Sequence, residues 1–248
     1  MMPFTFAHPA FALPIKKAAP RLLSATGLVL GSMAPDFEYF VNLEPHATIG
    51  HSAWGLLLHA LPLSVLFAFL FHLIVKTQLA LHLPSALALD RRAYRLLGTW
   101  KLNTLRAWIV FLYSVAIGFI THVVLDAFTH QSGYVVLHWP LLREPALFGL
   151  PVFKCLQHGL SLIGLIFVAF LTISALLRAK TDHVSMPFVS ARRKACFWIV
   201  AVLVAALVAI IKLVVSESGN TLGILVVAPL SGSCLGLVVS SVIFGRRR

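Results

Sequence analysis

Five stretches of this chain are apolar for long enough to cross a bilayer, which takes about 20 residues of helix. They run from about Ala53 to Val75, Ala107 to Phe128, Gly159 to Leu177, Ala195 to Val215 and Leu222 to Phe244. Polar segments separate them. A basic stretch holding Arg91, Arg92, Arg95, Lys101 and Arg106 precedes the second span, and Arg178 ends the third. Residues 130–157, irregular and rich in proline and aromatics, join the second and third, and Ser216 to Asn220 make a tight turn between the last two. Leu22 to Met33 is apolar but too short to cross, so it predicts a helix lying on or packed into the outer face and ended by Pro35. The expected fold is therefore all-α: a polytopic membrane protein of about five spans (53–248) behind a non-spanning helical segment (1–52). No internal repeat interrupts this pattern.

Composition agrees with the pattern. Hydrophobic residues make up 59% of the chain and charged residues 11%, far from the averages of soluble domains. The net charge of +12 does not require nucleic acid, because no soluble basic face exists to carry it. It records orientation instead, since Lys and Arg are retained on the cytoplasmic side. The basic segments 76–106, 178–194 and the C-terminal tail then lie in the cytoplasm. Segments 129–158 and 216–221, with only Arg143 and Lys154 between them, lie outside. Lys16, Lys17 and Arg21 stand against this arrangement, which puts residues 1–52 outside as well. Cys155, Cys196 and Cys234 form neither a disulfide framework nor a Cys-type zinc motif. The first 19 residues, with three prolines and Lys16-Lys17 after the apolar stretch, do not read as a cleavable signal.

The chemistry sits at the end of the second span. His122, Asp126 and His130 are four residues apart, so each step drifts only about 40° around a helix and all three share a face. An imidazole and a carboxylate at that spacing can hold one metal ion. A polar ladder bonded to water and loops explains the same spacing. A carboxylate near a span costs about 2.5–3.5 kcal/mol at the helix centre, so Asp126 needs a partner. The predicted topology puts His8, Asp36, His51 and His158 on the same outer side, which favours a metal site. Each has a plainer alternative: Asp36 after Pro35 can cap a helix starting at Phe37, His51 can cap or line the first span, and His158 can be an interfacial histidine. His59, two turns beyond His51, lies about 12 Å further along the axis and suits packing or a supporting contact better than the same ion. Glu38 can support a ligand, while His46, His72, His82, His138 and His183 fit loops or interfaces.

Four motifs carry a family resemblance: Met2-Pro3-Phe4-Thr5-Phe6-Ala7-His8-Pro9-Ala10; Gly31-Ser32-Met33-Ala34-Pro35-Asp36-Phe37-Glu38-Tyr39-Phe40; Thr121-His122 with Asp126 to His130; and Leu156-Gln157-His158-Gly159. Over roughly residues 2–175 they resemble the bacterial family called Domain of Unknown Function 4184, whose activity is not settled. More distantly, the order His, Pro-Asp, His, HxxxD, His is similar to predicted membrane-bound metal-dependent hydrolases and to the zinc-dependent phospholipase C and single-strand nuclease group. That likeness implies His8, Asp36, His51, His122 and Asp126 as metal ligands, and His130 and His158 less directly because the spacing after HxxxD differs. The soluble group also uses its N-terminal amine and a late glutamate; here Met1-Met2 precede the motif and the glutamate has no clear counterpart.

The expectation is a membrane-embedded metal-dependent hydrolase of the bacterial inner membrane, acting at the extracytoplasmic face on a phosphoester such as a phospholipid or lipid-linked phosphate. Zinc suits imidazole-plus-carboxylate ligands, with manganese or iron as alternatives; the ion would lower the pKa of a bound water toward about 7. Asp36 is the expected base, and Asp126 would bridge if two ions bind. A non-enzymatic accessory or metal-handling protein, or a small transporter relaying protons through Asp126 and His122, remain as rivals. Spans four and five offer little polar path beyond Lys212, which weighs against transport.

Overall fold

The computed structural model describes residues 5–46, 48–181, 185–217 and 219–245. Met1 and Met2, His183 and the terminal arginines 246–248 lie outside them. The regular structure of the described residues is helical, with one isolated bridge between Pro145 and Pro151. A 3-10 turn, Thr5–Ala7, leads into α1 (Pro9–Ala18) and α2 (Ala25–Met33); another, Ala34–Asp36, leads into α3 (Phe37–Asn42). The first long helix is α4, Ala53–His82, with π-helical segments at Leu56–Ala60 and Leu70–Val75. Next come α5 (Leu89–Arg95), α6 (Leu105–Thr129) and the short α7 (Tyr134–His138). Three further long helices close the chain: α8 (Val152–Arg178), α9 (Ala191–Val215) and α10 (Thr221–Gly245).

Five helical runs are long and apolar enough to cross a membrane: Ala53–His82, Leu105–His138, Val152–Arg178, Ala191–Val215 and Thr221–Gly245. Each overlaps one expected span and extends it at one or both ends. Their surfaces explain the excess of apolar residues. Leu162, Ile163, Ile166 and Phe170 on α8 and Val202, Leu203 and Leu207 on α9 are exposed. A water-facing helix carries polar groups there, whereas a lipid-facing one does not. This is a polytopic α-helical membrane protein.

As expected, α2 ends at Met33, just ahead of Pro35. Its missing N–H and fixed φ are tolerated at the start of a helical segment, so the chain tightens into the 3-10 turn Ala34–Asp36 and continues into α3. Asp36 is the last residue of that turn, immediately before α3.

The chain folds as two compact units. One comprises Met1–Phe37, Thr48–Val65 and Leu102–Phe170; the other comprises Glu38–Ala47, Leu66–Lys101 and Leu171–Arg248.

In the first unit, α2 packs against α6 at unusually close range. A Cβ on Gly31 would sit 2.1 Å from the Val115 carbonyl oxygen, and one on Gly118 would sit 2.4 Å from that of Leu28. Glycine at both positions lets the two backbones touch, as small residues do between membrane helices. Gly164 of α8 does the same for the N-terminal turn, where an added Cβ would meet the Ala7 carbonyl oxygen at 2.8 Å.

In the second unit, α9 and α10 meet through Gly232 and Gly236, which lie against Ala205 and Ala201. A buried ion pair joins Lys194 of α9 to Asp90 of α5, with the Ser85 hydroxyl donating to the same carboxylate at 2.8 Å. Lys212, near the C-terminal end of α9, pairs with Glu44 at 3.2 Å.

Candidate metal centre

The glycine-mediated contact between α2 and α6 positions the centre. It brings the Ser32 carbonyl to 2.7 Å from His122 Nδ1. A carbonyl only accepts, so Nδ1 carries a proton, and Nε2 is the nitrogen that the neutral ring would offer to a metal. His122 is fully buried, and its Nε2 has no hydrogen-bond partner. Metal-binding histidines show this arrangement, with the second nitrogen fixed by a backbone carbonyl.

Asp36 arrives from the turn after α2. The Thr5 hydroxyl donates to its Oδ2 at 2.5 Å. Its Oδ1 lies 3.7 Å from both His51 Nε2 and His122 Nε2. Burial pushes the Asp36 carboxyl upward, against the opposing pull of His122, Thr5 and His51. A nearby cation reverses that tendency and holds the carboxylate charged.

Asp126 is the hub. Its Oδ2 lies 3.2 Å from His51 Nε2 and 3.2 Å from His122 Nε2. Its Oδ1 lies 3.3 Å from His130 Nδ1 and 3.9 Å from His8 Nε2, with no hydrogen bond made by that oxygen. The His8 ring stacks on His122 with centroids 3.7 Å apart. Burial, reinforced by His122, lowers the His8 pKa from 6.5 to about 3. At neutral pH His8 is an uncharged imidazole with a lone pair to offer.

Two overlapping triads have ligand atoms all within 4.8 Å of one another: His8, His122 and Asp126, and Asp36, His51 and His122. The donor set fits a divalent ion such as zinc. With metal–ligand bonds of about 2.0–2.1 Å, adjacent donors of a tetrahedral site stand about 3.3 Å apart. The contacts of Asp36 Oδ1, His51 Nε2, His122 Nε2 and Asp126 Oδ2 measure 3.2 to 3.7 Å. The two contacts at 3.7 Å are longer than hydrogen bonds, whereas the two at 3.2 Å to Asp126 Oδ2 suit either a hydrogen bond or a shared ion.

Six of the seven expected residues thus converge: His8, Asp36, His51, His122, Asp126 and His130. The seventh, His158, does not join them. It is exposed and lines a separate recess. The face of α8 that packs inward is set by Phe153, Gln157, Ser161 and Gly164. One residue further on, His158 is rotated by about 100° from that face.

Gln157 occupies the position near the cluster, with its amide nitrogen 3.1 Å from His130 Nε2. The sequence held a signal for it in the spacing of 153, 157, 161 and 164. Thr5 and the Ser32 carbonyl gave no comparable pattern. The side chains of His51 and His130 are 33% and 27% exposed, so the centre opens on one side. A small cavity of about 10 Å³, room for one water, sits against His8, Asp126 and Gln157.

The fold and these side chains define a helical membrane protein with a buried histidine–aspartate cluster. The chain belongs to the family of the Domain of unknown function (DUF4184), whose model matches residues 2–242. The match runs past the four motifs and takes in the last two long helices. No curated protein and no solved structure matches it.

Proposed function

We propose that the chain is a membrane-embedded metal-dependent hydrolase that cleaves a phosphoester on a lipid or lipid-linked substrate, at the extracytoplasmic face of a bacterial cytoplasmic membrane. The observation that carries this reading is the run of 3.2 to 3.7 Å contacts linking Asp36, His51, His122 and Asp126, in which His122 Nε2 makes no hydrogen bond. Exposure of His51 and His130 favours an enzyme over a closed structural metal site, because catalytic sites keep a coordination position open.

His122 and His51 would hold the ion through their Nε2 atoms. Asp36 presents Oδ1 because Thr5 fixes Oδ2; from there it binds the ion or takes a proton from the water beside it. Asp126 offers Oδ2 to one pair of histidines and Oδ1 to the other, so it can bridge if two ions are bound. A divalent ion supplies Lewis acidity toward a phosphoryl oxygen and lowers the pKa of a bound water toward about 7. Zinc is the expected ion, with manganese or iron as alternatives.

The test is metal analysis of purified protein beside His122→Ala and Asp126→Ala, followed by hydrolysis assays on phosphodiesters and phospholipids. Near-stoichiometric metal, lost in both variants together with hydrolysis, is the expected result. Folded, metal-free protein that ignores chelators and cleaves none of the panel removes the proposal.

A further inference from the structure

His158, set apart from the metal centre, lines a recess of about 770 Å³ together with Arg143 and Lys154, within the usual range of small-molecule sites, about 300–1,000 Å³. The other walls include Leu137, Leu150 and Phe153. Three basic side chains facing an apolar wall match an amphiphile with an anionic head. Arg143 is fixed there: its Nε donates to the Val136 carbonyl at 2.9 Å and its Nη2 to that of Leu137 at 3.2 Å.

Two further observations indicate what enters. First, the segment that builds the recess exposes an unusual amount of apolar surface. Tyr134, Trp139, Leu141, Leu147 and Phe148 are all exposed, Phe148 by 89%. Its φ of 57° places it in the left-handed region that bulky side chains rarely adopt. Trp and Tyr among aliphatic residues are typical of the bilayer interface, where ring and polar atom are both satisfied. Such a rim suits a recess that opens at the level of lipid headgroups. Second, the recess is wired to the metal centre. Lys154 Nζ donates to Gln157 Oε1 at 2.7 Å, and Gln157 Nε2 lies 3.1 Å from His130 Nε2. His130 in turn stands 3.3 Å from Asp126.

We propose that this recess is the headgroup site for a phosphate-bearing lipid, with Lys154, His158 and Arg143 holding the anion and the Leu137–Leu150–Phe153 wall holding the first part of its tail. The site rests on the hydrolase reading for its purpose, but its binding chemistry stands apart from the metal. It selects anionic phospholipids that present a phosphate near the interface, and Lys154 passes the position of that phosphate to His130 through Gln157.

The experiment uses the purified full chain in detergent, with and without prior chelation of metal. Binding of lysophosphatidic acid is compared with monoacylglycerol of the same tail and with inorganic phosphate. The variant carries Lys154→Gln with His158→Gln; Arg143 is kept because it holds two backbone carbonyls. Saturable binding of lysophosphatidic acid at least tenfold tighter than either comparison ligand, weakened at least tenfold in the variant, is the expected result. Affinity equal to that of monoacylglycerol, or unchanged in the variant, overturns the site. Inorganic phosphate binding as tightly as the lipid overturns the lipid assignment. Thermal melting checks that the variant is folded; should it fail to fold, the single change Lys154→Met takes its place, and a tenfold loss of affinity is again required. Selective binding that survives chelation without any hydrolysis keeps the headgroup site and defeats the hydrolase reading. Metal-dependent hydrolysis without selective binding does the reverse.

Discussion

A single hydroxyl decides how Asp36 presents itself. Thr5 holds Oδ2 at 2.5 Å, leaving Oδ1 to face His51 and His122. Partners that orient a ligand without touching the ion are worth about 10–100-fold in metal affinity. We expect Thr5→Val, nearly isosteric, to weaken metal binding within that range, as measured by competition with a chromophoric chelator. Stability should fall by only about 1 kcal/mol, the usual worth of one hydrogen bond. Unchanged affinity would show that Thr5 is a packing residue and that the carboxylate orients itself. The residue types of the candidate site and their order were legible in the sequence, because imidazoles and carboxylates near an apolar span are costly and conspicuous. Their supports were not. The Ser32 carbonyl has no sequence signature, and a threonine in a short turn looks like any other. Between Gln157 and His158, residue type pointed to histidine, and helical phase set by neighbouring small residues chose glutamine.

At the scale of elements, the centre depends on how closely α2 can approach α6. Gly31 lies against Val115 backbone, so any larger side chain pushes the helices apart and takes the Ser32 carbonyl from His122. Gly31→Val is expected to cost at least about 1–3 kcal/mol, the usual penalty of overpacking, and to lose metal before it loses helicity. Gly98→Ala, where an added Cβ meets nothing within 4 Å, should change neither. Metal content and circular dichroism on the same samples read both effects; a Gly31→Val protein with full metal would show that the centre tolerates a shifted α2. The spans themselves were readable, since about 20 apolar residues leave few alternatives to a crossing helix. The π-helical segments of α4 were not, because they arise from backbone register and leave the hydropathy of Ala53–His82 unchanged. Nor was α1, whose internal Pro14 argues against a helix: the proline sits five residues after Pro9, and α1 accommodates it all the same.

For the whole molecule the open matter is which side of the membrane holds the centre, and the charge pattern that suggests an answer has a second physical cause. Basic residues near helix ends also serve the orphaned C-terminal carbonyls and the negative end of the helix dipole. Arg92 donates to the carbonyls of Leu177 and Ala179 at the end of α8, and Arg193 to that of Phe244 at the end of α10. Lys16, in the last turn of α1, donates instead to a carbonyl of the α1–α2 loop, that of Leu23 at 2.7 Å. Those local tasks account for Lys16, which the charge rule counts against an outer N-terminal segment. They also reduce the weight of Arg92 and Arg193 on the opposite side. Lys180, Arg91 and Arg95 have no such task in the hydrogen bonds described, and they keep the bias of segments 76–106 and 178–194 over 129–158. A direct measurement settles the orientation. With Cys155, Cys196 and Cys234 replaced by serine, a cysteine placed by Glu144→Cys should react with a membrane-impermeant maleimide in intact cells. One placed by Lys180→Cys should react only after permeabilisation. Both positions are exposed, so silence at either reflects the membrane and not packing. The reversed pattern would move the centre, and any substrate it acts on, to the cytoplasmic leaflet while leaving the chemistry of the cluster as it stands.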